Sequence, residues 1–349
     1  MSFFRPNIDA MSGYVPGEQP AANEKVIKLN TNENPYPPSP KALAVLRNFD
    51  GERLRRYPDP MANEFRQAAS RVLDVPADWI LVGNGSDDIL NLIVRACTEP
   101  GRKVVCPSPT YTLYRTLTQI QDSEFVEIPF DEDYNLPFEG LVEADGAVTF
   151  IASPNSPSGN SIPVAQLDEL AAQLSGVLAI DEAYVDFAEE SALSLVKKHD
   201  NVIVLRTLSK GYSMAGLRLG FGIANPTILA GLVKVKDSYN IDAVASQVGA
   251  AAIADQAYKI GNAEKIKASR DRLVKDLEQL GFTVGRSQAN FILAQPGDRN
   301  AEFLYKSLKE RRILVRYFNQ PRLADKLRIT VGTDEENQSL VMALKDILG

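Results

Sequence analysis

With 349 residues, 44% of them hydrophobic and 24% charged, the chain can bury one large α/β domain or a large domain with a smaller one, and its composition is that of a soluble globular protein. A net charge of −7, with no basic block beyond Lys309-Glu-Arg-Arg312, argues against nucleic acid and anionic membrane as partners. Cys97 and Cys106 give no disulfide or metal pattern, which points to a cytoplasmic compartment, and the lone His199 argues against zinc and against a Ser-His-Asp triad. There is no secretory signal and no apolar run long enough to span a bilayer.

In chain order, Met1 to Pro20 is polar and rich in Gly and Pro, and reads as an arm rather than a helix. From about residue 79 short apolar runs alternate with helical patterns, the signature of βαβ units. Trp79–Gly83, Lys103–Pro107, Val148–Ala152, Gly176–Ile180 and Asn201–Leu205 read as strands. Asp88–Cys97, Tyr111–Ile120 and Val164–Leu174 read as helices. The strands are continuously apolar, so they belong buried in a mostly parallel sheet flanked by helices. After about residue 240 the pattern becomes that of a smaller α+β domain. A long helix, Ala263–Leu280, precedes strand-like runs at Phe291–Leu293, Ile313–Tyr317 and Leu327–Val331, and a last helix runs from about Glu335 to Leu348.

Each polar cluster follows the C-terminal end of a strand, where ligands bind in open α/β sheets. Lys210 stands just after Val202-Ile-Val-Leu205, with Thr207, Ser209, small residues and Arg218 around it. Hydroxyls, a glycine-rich backbone and an arginine suit a phosphate, and a lysine can form a Schiff base, so the set suggests pyridoxal phosphate. A solvated loop also fits this segment taken alone. Asp181, at the end of Val177-Leu-Ala-Ile180, is either a helix N-cap or the carboxylate that keeps the cofactor's ring nitrogen protonated. Tyr184 either packs or donates to the phenolic oxygen. Asn155, in the turn Ser153–Gly159, is either structural or a second amide donor. Gly83-Asn-Gly-Ser-Asp87 can present free N–H groups to a phosphate, or Ser86 or Asp87 can simply cap a helix. Tyr111 either stacks on a flat ring or belongs to the core.

In order and spacing these motifs resemble the fold-type I pyridoxal-phosphate aminotransferases, and most closely the histidinol-phosphate aminotransferase family. The resemblance runs through Tyr14-Val-Pro-Gly-Glu-Gln19, Leu29-Asn-Thr-Asn-Glu-Asn-Pro-Tyr36, Arg56-Tyr-Pro-Asp59, Gly85-Ser-Asp87, Pro109-Thr-Tyr111, Pro154-Asn155 with Pro157-Ser-Gly159, Asp181-Glu-Ala-Tyr184, Ser209-Lys210 with Ala215-Gly-Leu-Arg218, and Arg328-Ile-Thr-Val-Gly332. It implies that Lys210 forms the Schiff base and shuttles a proton, that Asp181 pairs with the ring nitrogen, and that Tyr184 and Asn155 bind the phenolic oxygen. Tyr111 would stack on the ring, while Ser86, Asp87, Thr207, Ser209 and Arg218 hold the phosphate. Tyr57 would reach the phosphate from the other subunit of a homodimer. Tyr14, Asn34, Arg316 and Arg328 would meet the substrate, Arg328 through a carboxylate and Arg316 through the phosphate of histidinol phosphate. The implied layout is an arm over 1–28 that joins the small domain, a large cofactor-binding domain over 29–240 and a small domain over 241–349.

Two departures stand out: Asn155-Ser-Pro-Ser-Gly159 replaces the usual Asn-Asn-Pro-Thr-Gly, and Gly211-Tyr-Ser follows the lysine in place of Ala-Phe-Gly. The expected activity is amino transfer between glutamate and imidazole-acetol phosphate. The alternatives are an aromatic-amino-acid transaminase on the same scaffold, a phosphothreonine-type decarboxylase, and a catalytically silent cofactor-binding regulator.

Overall fold

The computed structural model describes residues 2–14, 16–21 and 24–349; Met1, Val15, Ala22 and Asn23, all in the expected arm, lie outside them. The arm carries helix α1 (Pro6–Ala10) and strand β1 (Ile27–Lys28). There follow α2 (Pro40–Arg47), α3 (Asn63–Leu73), β2 (Ile80–Asn84), α4 (Ser86–Cys97), β3 (Lys103–Ser108), α5 (Leu113–Ile120) and β4 (Glu124–Pro129). Then come α6 (Phe138–Ala144), β5 (Val148–Ala152), α7 (Val164–Gln173), β6 (Val177–Asp181), β7 (Val202–Thr207), β8 (Leu219–Ala224), α8 (Pro226–Val235) and α9 (Ala243–Ala254). The chain ends with α10 (Gln256–Gln279), β9 (Thr283–Val284), β10 (Phe291–Gln295), α11 (Ala301–Glu310), β11 (Ile313–Leu314), β12 (Arg316–Tyr317), β13 (Leu327–Thr330) and α12 (Asp334–Leu348).

Seven strands form the large sheet in the order β2-β8-β7-β6-β5-β3-β4. Only β8 runs against its neighbours, so the sheet is mostly parallel as expected. Helices cover both faces, and successive side chains of β7 alternate between the two cores: Val202 and Val204 join α3, α7 and α9, whereas Ile203 and Leu205 join α4, α5 and α8. Burial on both faces is what makes these strands unbroken apolar runs. A separate antiparallel sheet, β12-β13-β10-β9, packs with α10, α11 and α12 around a third core. The arm reaches this unit through β1, which pairs in parallel with β11.

Several expectations shift. The turn-rich arm does contain a helix, α1. Pro6 fits its first turn, and Arg5 and Asn7 donate to the carbonyls of Ile120 and Gln119 at the end of α5, so docking overrides local sequence. The expected strand Ile313–Tyr317 is split at Val315, with β11 turned to β1 and β12 to β13. The division expected at residue 241 falls before a helix that packs with the large core: α9 lies on α2 and α3, with Ala245, Val248 and Ala252 among the buried residues of that core. The next helix, α10, packs on both units: Ala263 and Ile266 meet Phe187, while Leu273 and Leu277 join the third core.

Candidate active site

The C-terminal ends of β3, β5, β6 and β7 open on one cavity of about 280 Å³, closed from outside by the arm and the small domain. Lys210 lies three residues past the end of β7, on a turn whose Ser213 takes a positive φ of 61°. Its Nζ points into the cavity, donates to the carbonyl of Thr31 at 3.2 Å and lies 5.6 Å from the ring centre of Tyr184. Gly211 is needed here, since a Cβ at that position would sit 2.2 Å from the Asp186 carboxylate, which Lys259 neutralises. That contact gives a physical reason for one of the two motif departures.

At the other wall, α4 starts at Gly85 (φ 81°) with no side-chain cap, which leaves its first N–H groups for an external anion. Gly220 of β8 lies directly beneath: a Cβ there would come within 2.2 Å of the Ser86 nitrogen. Arg218, Thr207, Ser209, Ser86 and Asp87 all line this corner. Thr207 Oγ1 donates to Ser209 Oγ at 2.9 Å, and Arg218 reaches Asp87 at 3.5 Å. The five residues expected to hold a phosphate are therefore brought together.

Asp181 is buried at the end of β6 with two donors, Tyr114 Oη on Oδ2 at 2.9 Å and the Ala183 N–H on Oδ1 at 3.1 Å. Burial pushes its carboxyl up to about 6, and the two donors only partly offset this. Its strand neighbour Glu182 points to the opposite face, where it accepts from Arg206 Nε at 3.0 Å and Nη2 at 2.9 Å and ties the end of β6 to β7. Tyr111 lines the cavity with its hydroxyl 3.3 Å from Asp87 Oδ1. Tyr184 lines it too, its hydroxyl accepting from Asn32 Nδ2 at 2.9 Å.

Three expected site residues lie elsewhere. Asn155 is fully buried behind the wall. Its amide donates to Pro109 O and Ser158 Oγ and accepts from Thr110 Oγ1, so no donor is left for a ligand, and the next residue, Ser156, faces the cavity instead. Asn34 is turned to the lysine backbone: Nδ2 donates to Lys210 O at 2.9 Å and Oδ1 accepts from Tyr36 N, which makes it a support for Lys210 rather than a substrate contact. Tyr57 is 82% exposed on the outer surface, stacked on Tyr239 at 4.5 Å, and does not line its own chain's cavity.

Arg316 and Arg328 are direct partners across β12 and β13, so both guanidiniums leave the same face of the small sheet and enter the cavity. Arg328 donates to Ser156 Oγ at 3.0 Å and Asn30 O at 2.9 Å, while its Nε is buried without a partner. Burial depresses its pKa, with Arg316 adding to the effect. Tyr14, from the arm, forms an edge contact with Tyr111 at 6.2 Å. The segment carrying Phe318, Gln320 and Leu323 closes the remaining side, and Arg322 within it donates to the main-chain carbonyls of Phe130 and Asp131. Arg322, Ser156, Asn32 and Tyr114 went unread in the sequence; only Tyr114 had a signal, three residues past Tyr111 on the same helical face.

This donor set fits pyridoxal phosphate. Two wall positions admit no Cβ beside an uncapped helix start, as a close-lying phosphate requires, and a buried carboxylate and an amine stand at the other walls of a cavity large enough for a small ring. Fold and cavity together define a fold-type I pyridoxal-phosphate enzyme. The chain belongs to the aminotransferase class I and II family, whose profile matches residues 24–344. It is 65% identical over 347 residues to histidinol-phosphate aminotransferase 1 of Trichormus variabilis, with 99% of each chain covered, and 45% identical over 348 residues to histidinol-phosphate aminotransferase of Citrifermentans bemidjiense, again with 99% of each covered. Among solved structures, histidinol-phosphate aminotransferase from Sinorhizobium meliloti in complex with pyridoxal-5′-phosphate superposes with a TM-score of 0.91 at 27% identity, covering 100% of this chain and 98% of that one. The chain is a pyridoxal-phosphate-dependent aminotransferase.

Proposed function

We propose that the chain is a histidinol-phosphate transaminase: it moves an amino group from L-glutamate to imidazole-acetol phosphate, giving L-histidinol phosphate and 2-oxoglutarate, a step of histidine biosynthesis. Full-length relatives of that name at 65% and 45% identity support the reading. The geometric observation that carries it is the side-by-side pair Arg316 and Arg328. Two substrates must use one cavity in turn, one ending in carboxylates and the other in a phosphate, and paired guanidiniums suit both kinds of anion.

Bound pyridoxal phosphate supplies an aldehyde that takes up the amino group and a ring that accepts electrons from the substrate α-carbon. Lys210 Nζ would take the proton from the substrate α-carbon and return it two atoms away, at the cofactor's aldehyde carbon. Asp181 keeps the ring nitrogen protonated. Tyr184 orients the phenolic oxygen, Tyr111 covers the ring, and the α4 start with Arg218, Thr207 and Ser209 holds the phosphate. Arg328 binds the glutamate carboxylate, Arg316 assists with the substrate phosphate, and Tyr14 closes over it and excludes water.

The working unit in this reading is a cytoplasmic homodimer. Tyr57, exposed and stacked on the exposed Tyr239, suits a contact across the two subunits at the phosphate corner. Among the described residues no helix is long and apolar enough to cross a membrane. Steady-state kinetics with histidinol phosphate, phenylalanine and phosphothreonine, each with 2-oxoglutarate, test the substrate. Histidinol phosphate should give the highest kcat/KM; a higher value for phenylalanine, or carbon dioxide release from phosphothreonine, would overturn the assignment.

A further inference from the structure

Tyr114 stands apart among the residues around the cavity, because its side chain is fully buried and still ends on the cofactor-binding carboxylate. Its ring stacks on Phe150 of β5 at 4.6 Å with an interplanar angle of 11°, and Tyr111 meets it edge-on at 5.6 Å. Two aromatic contacts fix the ring, so the hydroxyl cannot swing away from Asp181. Thr118 Oγ1 donates to the Tyr114 carbonyl, which ties down its helical turn as well. The remaining Asp181 donor, the Ala183 N–H, belongs to the main chain and cannot be varied by sequence.

We infer that Tyr114 is a positioning residue that sets the ionisation and direction of Asp181, and through it the grip on the cofactor's ring nitrogen. This rests on the reading of the cavity as a pyridoxal-phosphate site. The donated hydrogen bond stabilises the ionised carboxylate against burial, which acts in the other direction. Asp87 and Glu182, both anionic, oppose its ionisation, the cations Lys210 and Arg218 line the same cavity, and Tyr114 is the side chain that donates to the carboxylate directly. The Tyr114 hydroxyl is itself held protonated by burial beside Asp181, so it stays a donor throughout the neutral range.

The full-length chain, depleted of cofactor, is titrated by fluorescence with pyridoxine 5′-phosphate, which keeps ring nitrogen and phosphate but has no aldehyde for Lys210. Affinity should fall on acidification as Asp181 takes up its proton. In Tyr114→Phe that fall should begin about one to two pH units higher, with about tenfold weaker binding at pH 7. Replacing Tyr114 by 3-fluorotyrosine, a stronger donor of nearly the same shape, should move the midpoint to lower pH. Either shift supports the inference; a purely structural tyrosine would change the melting temperature and leave both midpoints alone. If wild type binds the probe and neither midpoint moves, the inference is wrong while the cofactor site stands. If wild type fails to bind the probe, the cofactor reading fails and takes the inference with it.

Discussion

Replacing Asp181 by Asn should make the stability of the cofactor-free protein rise relative to wild type as the pH rises from about 4 to 7.5. A carboxyl whose folded pKa is raised binds its proton more tightly in the folded state, so the ionised form at neutral pH works against folding. The interval between the ordinary 3.8 and about 6 corresponds to about 3 kcal/mol at about 1.4 kcal/mol per unit. That cost is fully present above pH 6, shrinks as pH falls from about 6 to 4, and is absent below. An Asn amide keeps Oδ1 accepting from the Ala183 N–H, but Nδ2 can only donate to the Tyr114 oxygen. The buried Tyr114 O–H then loses its acceptor, at a cost of about 1–3 kcal/mol that does not vary with pH. Urea denaturation of cofactor-free wild type and Asp181→Asn between pH 4 and 8 reads the difference. From pH 4 to pH 7.5 the stability of the variant relative to wild type should rise by about 3 kcal/mol, while its transaminase activity is largely lost. A stability difference that does not change with pH, or that falls as the pH rises, would refute the reasoning.

Gly220→Ala places a Cβ 2.2 Å from the Ser86 nitrogen and 2.5 Å from the Gly85 carbonyl carbon, both main-chain atoms. The helix start must shift by about 1 Å, so cofactor affinity should fall about a hundredfold and stability by about 1–3 kcal/mol, as read by fluorescence titration and thermal melting. Asn34→Ala removes the hydrogen bond to Lys210 O and should lower kcat about tenfold with KM little changed; a raised KM at constant kcat would mean that Asn34 meets substrate after all.

What the sequence disclosed depended on how local each signal was. Strands buried on both faces announced themselves as apolar runs, and the residues just past their ends fell into one cavity because parallel strands deliver their C-terminal ends to the same edge. β4 went unread because Glu124-Phe-Val-Glu-Ile-Pro129 is neither a continuous apolar run nor a strict alternation and ends in proline, as an edge strand paired on one side can. β8 was hidden by Gly220 and Gly222, which a propensity reading penalises and the close approach of α4 requires. Asn155 and Ser156 show the finer limit: a one-residue step decides which side chain faces the cavity, and the cis Ser153–Pro154 and Ser156–Pro157 bonds of that turn have no local sequence mark. Asn34 carried the right residue type for a ligand contact, but its partner, the Lys210 carbonyl, lies 176 positions away in the chain.

The clasp at Arg322 has a consequence for how freely the chain can vary. Its guanidinium bridges the two units through main-chain carbonyls, those of Ser108, Phe130 and Asp131, and lies over the Tyr134 ring at 5.4 Å. Every residue type presents the same carbonyl, so drift at positions 130 and 131 leaves the acceptors in place, provided the backbone keeps its path. The burden of keeping the cavity's outer wall seated therefore falls on Arg322 and on the Tyr134 ring it covers, not on the side chains at 130 and 131. What the closing segment reads on the large-domain rim is thus the path of the backbone at 130 and 131 rather than the identity of the residues there.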